Sequence, residues 1–281
     1  MGGNMLRIFW DQCLVITRKR IFKIVFYLLL AIVLGNYIYN VYQYHGMEIS
    51  EMYSFTEIGI LGYNNIVSFY FLKFFPFLLV LPASLSVAAE RNNKIEVLWV
   101  SRCGRGKYYL LKLAAVFATT FFCFFLPLLL EIVVNSISFP VNAHGNLFGY
   151  ELYTKEYKYI EKYMLFPVYY KKPVLYALIM SVYFSTVSGV FAAFTSAIAC
   201  IYSKYKAYLL LPVYVLIYFL DTIGAWDEKF QTPARVQFAK LMTWCQFTVH
   251  KVNVLHLAVV CLLLGCISLV IYLYKMKKDI V

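Results

Sequence analysis

The sequence is short of charged residues, which make up 14% of its 281 positions, and acidic residues are the scarcer kind, with 14 Asp and Glu against 26 Lys and Arg. Soluble domains carry about 25% charged residues. This deficit, together with a hydrophobic content of 62%, excludes an ordinary soluble domain and predicts that lipid solvates most of the chain. An Asn-x-Ser/Thr sequon is also missing, which fits a bacterial protein.

Motifs for several kinds of chemistry are absent as well. The run Gly104-Arg105-Gly106-Lys107 lacks the G-x-x-x-x-G-K-[ST] spacing of a phosphate loop, and Tyr108 stands where a magnesium-binding hydroxyl would be. The 4 histidines match no metal-ligand spacing. No Ser/His/Asp set or paired-glutamate motif stands out. We therefore predict no catalytic residues, no metal site and no cofactor in this chain, and expect any ATP to be bound by a partner.

Long apolar stretches are plentiful, and six of them approach the roughly 20 residues that a spanning helix needs. The sequence thus predicts an all-α membrane protein, a single transmembrane domain over residues 1–281. The fifth stretch is short, so we expect its backbone to dip back into the membrane beyond it. The predicted spans are about 24–43, 66–89, 108–131, 174–201, 207–223 and 254–274.

The positions of the basic residues predict the orientation of the spans. With the N-terminus inside, most Lys and Arg fall on the cytoplasmic side, and the outer segments 44–65, 132–173 and 224–253 are nearly neutral. We therefore expect a multi-pass protein of the bacterial cell membrane with both termini cytoplasmic. The net charge of +12 is a signal of topology and of anionic lipid, and it indicates no nucleic-acid partner. Only Cys245 falls in an outer segment, so no disulfide is predicted.

Three segments outside the spans have helical patterns. Residues 4–20 place Met5, Phe9, Cys13 and Ile16 on one face and predict an interfacial helix on the inner leaflet. Residues 91–104 predict a short amphipathic helix at the membrane surface. In the segment 224–253, Thr232-Pro233 opens a third helix. Its apolar residues are expected to seal a pathway from outside as an outer gate: Phe238, Leu241 and Met242.

Charged residues at membrane depth are energetically expensive, so each one indicates a functional site by default. Lys73 lies about two turns inside the second span, Glu131 near the outer end of the third, and Asp221 at the end of the fifth. A Lys73–Glu131 pair is plausible because the two spans are antiparallel neighbours. A structural pair or a snorkelling lysine is favoured over a contact with substrate.

The segment 90–112 is the most informative part of the chain. Glu90-Arg91 ends the second span, Ile95, Leu98, Trp99 and Arg102 recur at helical spacing, and Ser101-Arg102-x-x-Arg105-x-x-Tyr108-x-x-x-Lys112 opens the third span. This order resembles the permease subunits of ABC-2 type exporters. In that family a glutamate ends the second span, a short coupling helix follows, and a similar basic and tyrosine pattern begins the third.

The resemblance implies a function and partners. ABC-2 permeases dock a separate cytoplasmic ATPase, which binds ATP and Mg, on the coupling helix and the N-terminal interfacial helix, and they work as homodimers or heterodimers. The expected function is therefore ATP-driven export of an amphiphilic peptide or small hydrophobic compound, with no enzyme activity in this chain. A membrane-embedded protease or lipid-modifying enzyme and a non-transporting scaffold remain the alternatives. The residues expected to contact the ATPase are Glu90, Arg91, Ile95, Leu98, Trp99 and Arg102.

Overall fold

The structure, a computed structural model, describes residues 2–48, 52–62, 65–83, 85–141, 164–201, 206–230 and 251–278, and all regular elements in these ranges are helical. The all-α prediction is therefore confirmed. The helices are α1 (Gly2–Thr17), α2 (Arg20–Gln43), α3 (Ile66–Val80), α4 (Leu85–Asn92), α5 (Ile95–Cys103), α6 (Arg105–Ser138), α7 (Phe166–Lys171), α8 (Pro173–Ile201), α9 (Leu210–Phe230) and α10 (Lys251–Lys278), with a 3₁₀ turn at Lys206–Leu209 before α9.

Five helical stretches in the described ranges are long and apolar enough to cross a membrane. They correspond to five of the six predicted spans. The remaining prediction, 207–223, falls on α9, where the apolar part is the shorter Leu210–Phe219. The five stretches are Arg20–Gln43, Ile66–Asn92, Arg105–Ser138, Pro173–Ile201 and Leu255–Lys277.

Helix α9 differs from the prediction in how it ends. The sequence predicts a span that stops near residue 223 and turns back, but the helix continues to Phe230. The sequence has no proline from residue 213 to residue 232, so the helix meets no residue that lacks a backbone donor. Its polar continuation therefore extends the same helix.

Helix α8 is the central element of the bundle and packs against α3, α4, α6, α7, α9 and α10. Small residues let its neighbours approach closely, as is common between helices in membranes. The tightest approach is at Gly189, where a Cβ atom would lie 2.7 Å from the Phe117 ring of α6. The α6–α8 pair is therefore the central helix–helix contact of the fold.

Four phenylalanines fill the middle of the bundle. The rings of Phe75 and Phe184 lie 4.9 Å apart, and Phe124 lies 5.8 Å from Phe75 and 6.0 Å from Phe184. Phe71 joins the group at 6.0 Å from Phe184. Edge and tilted contacts of this kind favour a dense, dry core. This core joins α3, α6 and α8.

The bundle has two distinct ends, which we call the α5 end and the loop end. The α5 end holds α1, α4, α5, the start of α6 and the C-terminal part of α10, where the Met276 methyl group lies 3.1 Å from a Cβ placed on Gly106. The loop end holds the C-terminal part of α2, the start of α3 and the residues 52–62, which pack between the helices. Two polar clusters occupy these ends.

Candidate functional site

Helix α5 is a separate element because the backbone breaks on both sides of it. Lys94 before it has φ 57°, and Gly104 after it has φ 80° with ψ 147°. Positive φ is costly for residues with a Cβ, so Gly104 suits this position. The Gly104 amide donates to the Val100 carbonyl at 2.9 Å and closes the last turn. The two breaks turn the chain from α4 into α5 and then into α6.

The outward side of α5 is apolar and basic. Val97 and Leu98 are 65% and 60% exposed, Ile95 is exposed beside them, and Arg102 extends the surface by a further turn. Trp99 is only partly exposed and packs against the core. Both Leu98 and Trp99 are expected to contact a partner, but only Leu98 is broadly exposed, and this chain's own core already covers part of the Trp99 side chain.

The inward side of the α4–α6 connection is a buried ionic cluster, which we call the Glu90 cluster: Gln12, Glu90, Tyr108 and Lys112. Lys112, with no exposed surface, donates from Nζ to Glu90 Oε1 at 2.5 Å and to Gln12 Oε1 at 3.0 Å. The Tyr108 hydroxyl donates to Glu90 Oε2 at 2.9 Å. Both carboxylate oxygens are therefore bound, and α1, α4 and α6 meet at one charge pair.

Two further contacts hold the same connection. Arg91 donates from Nη1 to the Cys200 carbonyl near the end of α8, and the Tyr109 hydroxyl of α6 donates to Glu96 of α5. The Lys19 ammonium lies 3.8 Å from Glu90 Oε1 and adds the start of α2. These contacts join α4 to α2 and α8, and α5 to α6.

The structure divides the six residues expected to contact a partner. Ile95, Leu98 and Arg102 share the exposed surface of α5. Glu90 lies inside the protein, 2% exposed, and its polar partners belong to this same chain. The expectation that Glu90 faces a partner is corrected, because burial of a carboxylate requires fixed charge and hydrogen-bond partners, which Lys112 and Tyr108 supply. Arg91 is half-buried against α8.

At the loop end, residues 54–61 form a non-helical segment inside the bundle, which we call the packed loop. Phe55, Ile58, Ile60 and Leu61 are each at most 2% exposed. Buried backbone without helical hydrogen bonds needs other partners. The loop folds on itself through hydrogen bonds from the Glu57 and Ile58 amides to the Ser54 carbonyl, at 3.0 and 3.3 Å.

The Phe55 amide donates to the Pro140 carbonyl at 3.1 Å. Four side chains supply further partners of the packed loop, and we call them the latch: Asn36, Asn40, Asn65 and Glu131. The Ile58 carbonyl accepts hydrogen bonds from the amides of Asn36, Asn40 and Asn65 at 3.1, 3.0 and 2.6 Å. The Ile60 amide donates to Glu131 Oε1 at 2.7 Å, and Asn36 donates to the same oxygen at 3.2 Å. The latch connects the loop to α2, α3 and α6.

Gly62 closes the packed loop. A Cβ atom at this position would lie 2.0 Å from the Glu57 carbonyl oxygen and 2.5 Å from its carbon. Such a contact is with backbone, which cannot rotate away as a side chain does. The Gly62 amide donates to the Gly59 carbonyl at 2.8 Å, so the turn and the close approach occur together. Only glycine fits here.

Lys73 and Glu131 form no ion pair with each other. The Lys73 ammonium lies 4.2 Å from the centroid of the Phe69 ring, one turn nearer the loop end. This arrangement agrees with the snorkelling reading, in which a lysine directs its charge towards the nearer surface. Glu131 is 3% exposed and takes its hydrogen bonds from Asn36 and the Ile60 amide. The predicted Lys73–Glu131 pair is therefore wrong. The packed loop brings the Ile60 amide to the Glu131 carboxylate, and this amide takes the place expected for Lys73.

The outer-gate prediction lies outside the described residues, since Phe238, Leu241 and Met242 fall between the ranges 206–230 and 251–278. The backbone at Asp221 is helical within α9, and its side chain is likewise outside the description. The gate therefore stays a prediction from the sequence.

The latch and the Glu90 cluster are polar sites of the bundle interior, among the described residues, that the sequence pattern indicates only in part. Asn36 and Asn40, four positions apart in an apolar stretch, share one helix face, and this pattern would have pointed to a buried polar contact. The pattern that opens the third span includes Lys112, but it does not indicate that this lysine is buried. Its burial could not be foreseen because the partner glutamate lies across two backbone breaks.

Within the ranges that the structure describes, no group of three or more His, Cys, Asp or Glu side chains could hold a metal ion. Comparison with protein-family models, with curated proteins and with solved structures finds no match for this chain. The two polar clusters and the exposed side of α5 are therefore the observations on which a function has to rest.

Proposed function

We propose that this chain is the membrane-spanning subunit of an ATP-driven exporter similar to ABC-2 permeases, and that α5 is its coupling helix. The observation that carries the proposal is the Glu90 cluster. Glu90, Tyr108 and Lys112, which are separate parts of the pattern that resembles the family, lie in hydrogen-bonding contact behind α5.

The exposed surface of α5 suits an ATPase partner in its chemistry. Apolar Val97 and Leu98 stand beside the exposed cations Arg102 and Arg105, a combination that fits a groove with an apolar floor and an acidic rim. Helix α1, at the same end, adds Leu6 and Trp10 as exposed apolar residues. In this proposal α1 is the interfacial helix and the α5 end faces the cytoplasm.

The remaining roles follow from that placement. Both termini are cytoplasmic, α9 completes the set of six spans, and the chain pairs with an identical or similar permease in the bacterial cell membrane. ATP and Mg are bound by two copies of the separate ATPase. The substrate is amphiphilic, a peptide or small hydrophobic compound, which suits a bundle whose interior is largely aromatic.

In this mechanism, the ATPase acts by displacing α5, and contacts within this chain transmit the displacement to other helices. Closure of the ATPase pair on ATP pushes α5, and the Glu90–Lys112 pair passes the displacement to α6 and α1. The Arg91 contact with the Cys200 carbonyl passes it to α8. A buried ion pair with excellent geometry resists separation, since each charge left alone would be strongly destabilised. The helices therefore move with α5.

The test first asks whether an ABC ATPase is encoded beside this chain's gene, and that protein is then co-expressed and purified with this chain in mild detergent. Leu98→Asp places a charge on the exposed side of α5 and should reduce the amount of co-purified ATPase by about tenfold or more, as expected for a central interface residue. Met47→Asp, an exposed apolar position at the loop end, is the matched control and should leave it unchanged.

Reconstitution in vesicles completes the test. The wild-type pair should hydrolyse ATP faster than the ATPase alone, and Leu98→Asp should abolish the stimulation. Equal loss in Met47→Asp and Leu98→Asp, or full association of Leu98→Asp, would remove α5 as the docking helix. Absence of any stimulated hydrolysis with the wild-type chain would overturn the exporter itself.

A further inference from the structure

We propose that the packed loop, residues 54–61, is a plug that seals the outer end of this protomer and that the latch releases during transport. The proposal rests on the proposed function for the assignment of the loop end to the outside. It goes beyond it by naming the moving part and the side chains that hold it.

Non-helical backbone is rare at membrane depth and is tolerated where protein buries it. Asn36 and Asn40 lie in the last two to three turns of α2, and Glu131 lies about two turns before the end of α6. The packed loop that contacts them therefore enters the bundle by about 10 Å at ~1.5 Å per residue. It does not lie over the helix ends as an ordinary connection would.

The loop occupies space that an exit route would need. Its apolar side chains are buried: Phe55, Ile58, Ile60 and Leu61. The hydrogen bonds of the latch place the loop beside α2, α3 and α6. In this proposal, the loop closes the interior of this end while it is in place.

The side-chain attachment of the loop is concentrated in few groups, and one backbone hydrogen bond, from the Phe55 amide to the Pro140 carbonyl, lies outside them. One carbonyl, that of Ile58, receives three carboxamide hydrogen bonds, and one carboxylate oxygen of Glu131 receives the Ile60 amide and the Asn36 side chain. Few attachment points mean that a small shift of α2 against α6 breaks several bonds together.

Glu131 acts as an acceptor, and its charge has no cationic partner among the described residues. Both salt bridges in that part of the chain involve Glu90. A carboxylate in this position is expensive inside a membrane protein and points to a function. Its two hydrogen bonds can be made by a glutamine oxygen, so Glu131→Gln should keep the latch and Glu131→Ala should release it.

The experiment measures access to the loop from outside. Ile60→Cys is introduced into a chain whose native cysteines are replaced, and a membrane-impermeant maleimide is applied to intact cells. We expect slow labelling with Glu131 or Glu131→Gln. Labelling should be about tenfold faster or more with Glu131→Ala, since the hydrogen bond to the Ile60 amide of the loop and the one that positions Asn36 of the latch are both lost.

Asn135→Ala is the matched control. It lies one turn further along α6, is buried, and has a side-chain oxygen with no hydrogen-bond partner among the described residues. It should leave the labelling rate of Ile60→Cys unchanged. Asn40→Ala, which removes a different part of the latch, should raise the rate and guards against a folding defect peculiar to position 131. The purified amount and the gel-filtration profile of each variant show whether it folds.

The outcomes separate the plug from the exporter. Fast labelling of Ile60→Cys in the otherwise unaltered cysteine-replaced chain, or equal rates with Glu131→Ala and Asn135→Ala, would overturn the plug whatever the chain transports. With the ATPase present, ATP should speed the labelling of Ile60→Cys. If this chain and the ATPase together show stimulated hydrolysis but ATP does not change the labelling rate, release of the latch during transport is overturned. Failure of stimulated hydrolysis itself concerns only the exporter.

Discussion

Lys112 has no exposed surface, and its neighbours at the Glu90 cluster leave its ammonium one carboxylate and one amide oxygen. Removing one partner of a buried ion pair leaves the other charge without compensation. Lys112→Met should therefore lower the free energy of unfolding by about 3–5 kcal/mol. The measurement is a denaturation curve of the purified protein in mild detergent.

Two variants make this prediction specific. Lys107→Met changes an exposed lysine of the same helix and should alter the stability by no more than about 0.5 kcal/mol. The double variant Glu90→Gln/Lys112→Met removes both charges and should recover part of the loss. A Lys112→Met protein as stable as Lys107→Met would show that the pair is not buried as described.

Gly62 gives a second prediction at this scale. Gly62→Ala forces its Cβ atom towards the Glu57 carbonyl oxygen, which lies 2.0 Å away, so the packed loop must shift. We expect a destabilisation of about 2–3 kcal/mol, at the upper end of the usual range. Gly35→Ala, where the added atom meets open space, is the control in the same assay. A tolerated Gly62→Ala would contradict the loop conformation.

Residue patterns predicted the burial of single positions unevenly. The helical spacing of Ile95, Leu98 and Trp99 predicted α5 but not which side faces the protein, because all sides of so short a helix contain apolar residues. That the loop 52–62 packs inside was not predicted either. Its hydrogen-bond partners lie on α2 and α6, and nothing in the local sequence indicates that these helices come close to the loop.

At the scale of elements, the contact between α6 and α8 depends on Gly189. Gly189→Ala places a methyl group 2.7 Å from the Phe117 ring and 3.2 Å from its carbonyl oxygen, so the helices must separate or the ring must turn. We expect a loss of about 1–3 kcal/mol, as for other overpacked interiors. Thermal unfolding monitored by aggregation in detergent would measure it.

Gly265→Ala on α10 should change the stability in the opposite direction from Gly189→Ala. An added Cβ there meets no atom within 4 Å, and alanine restricts the unfolded chain and favours the helix. We expect a gain of about 0.5–1 kcal/mol. If both glycine substitutions changed the stability in the same direction, the close α6–α8 approach would not be the reason.

The positions of the long helices were largely predictable and their ends were not. An apolar run reports the part of a helix that contacts lipid or core, so the third predicted span, 108–131, lies within α6. The helix itself begins at Arg105 and ends at Ser138, since charged and polar residues continue a helix in water. The break at Gly104 marked one end in the sequence, whereas the prolines inside α3 and α6 marked none.

At the scale of the whole molecule, the orientation predicts two labelling patterns. In a cysteine-replaced chain, Met47→Cys at the loop end should react with an impermeant maleimide in intact cells, and Ser101→Cys on α5 should react only after lysis. Both positions are exposed, so burial does not limit either reaction. Native Cys245, expected outside, should follow the first pattern.

Native Cys103 is a poor inner reporter, which is why Ser101→Cys is preferred. Burial raises the pKa of the Cys103 thiol, so less of the reactive thiolate is present near neutral pH. Its labelling after lysis should therefore increase as the pH rises above neutrality. Labelling of Ser101→Cys in intact cells, with Met47→Cys protected, would reverse the topology and with it the sides assigned to α5 and the packed loop.

Helix α6 carries both polar sites on one continuous element, Lys112 near its start and Glu131 near its end, about 29 Å apart at ~1.5 Å per residue. If each site prefers one arrangement of this helix, binding at one end and closure at the other share a single free energy. Thermodynamic reciprocity then applies. In the proposed exporter, if binding of the ATPase changes the closure equilibrium of the packed loop by some factor, closure of the loop must change the affinity for the ATPase by that same factor.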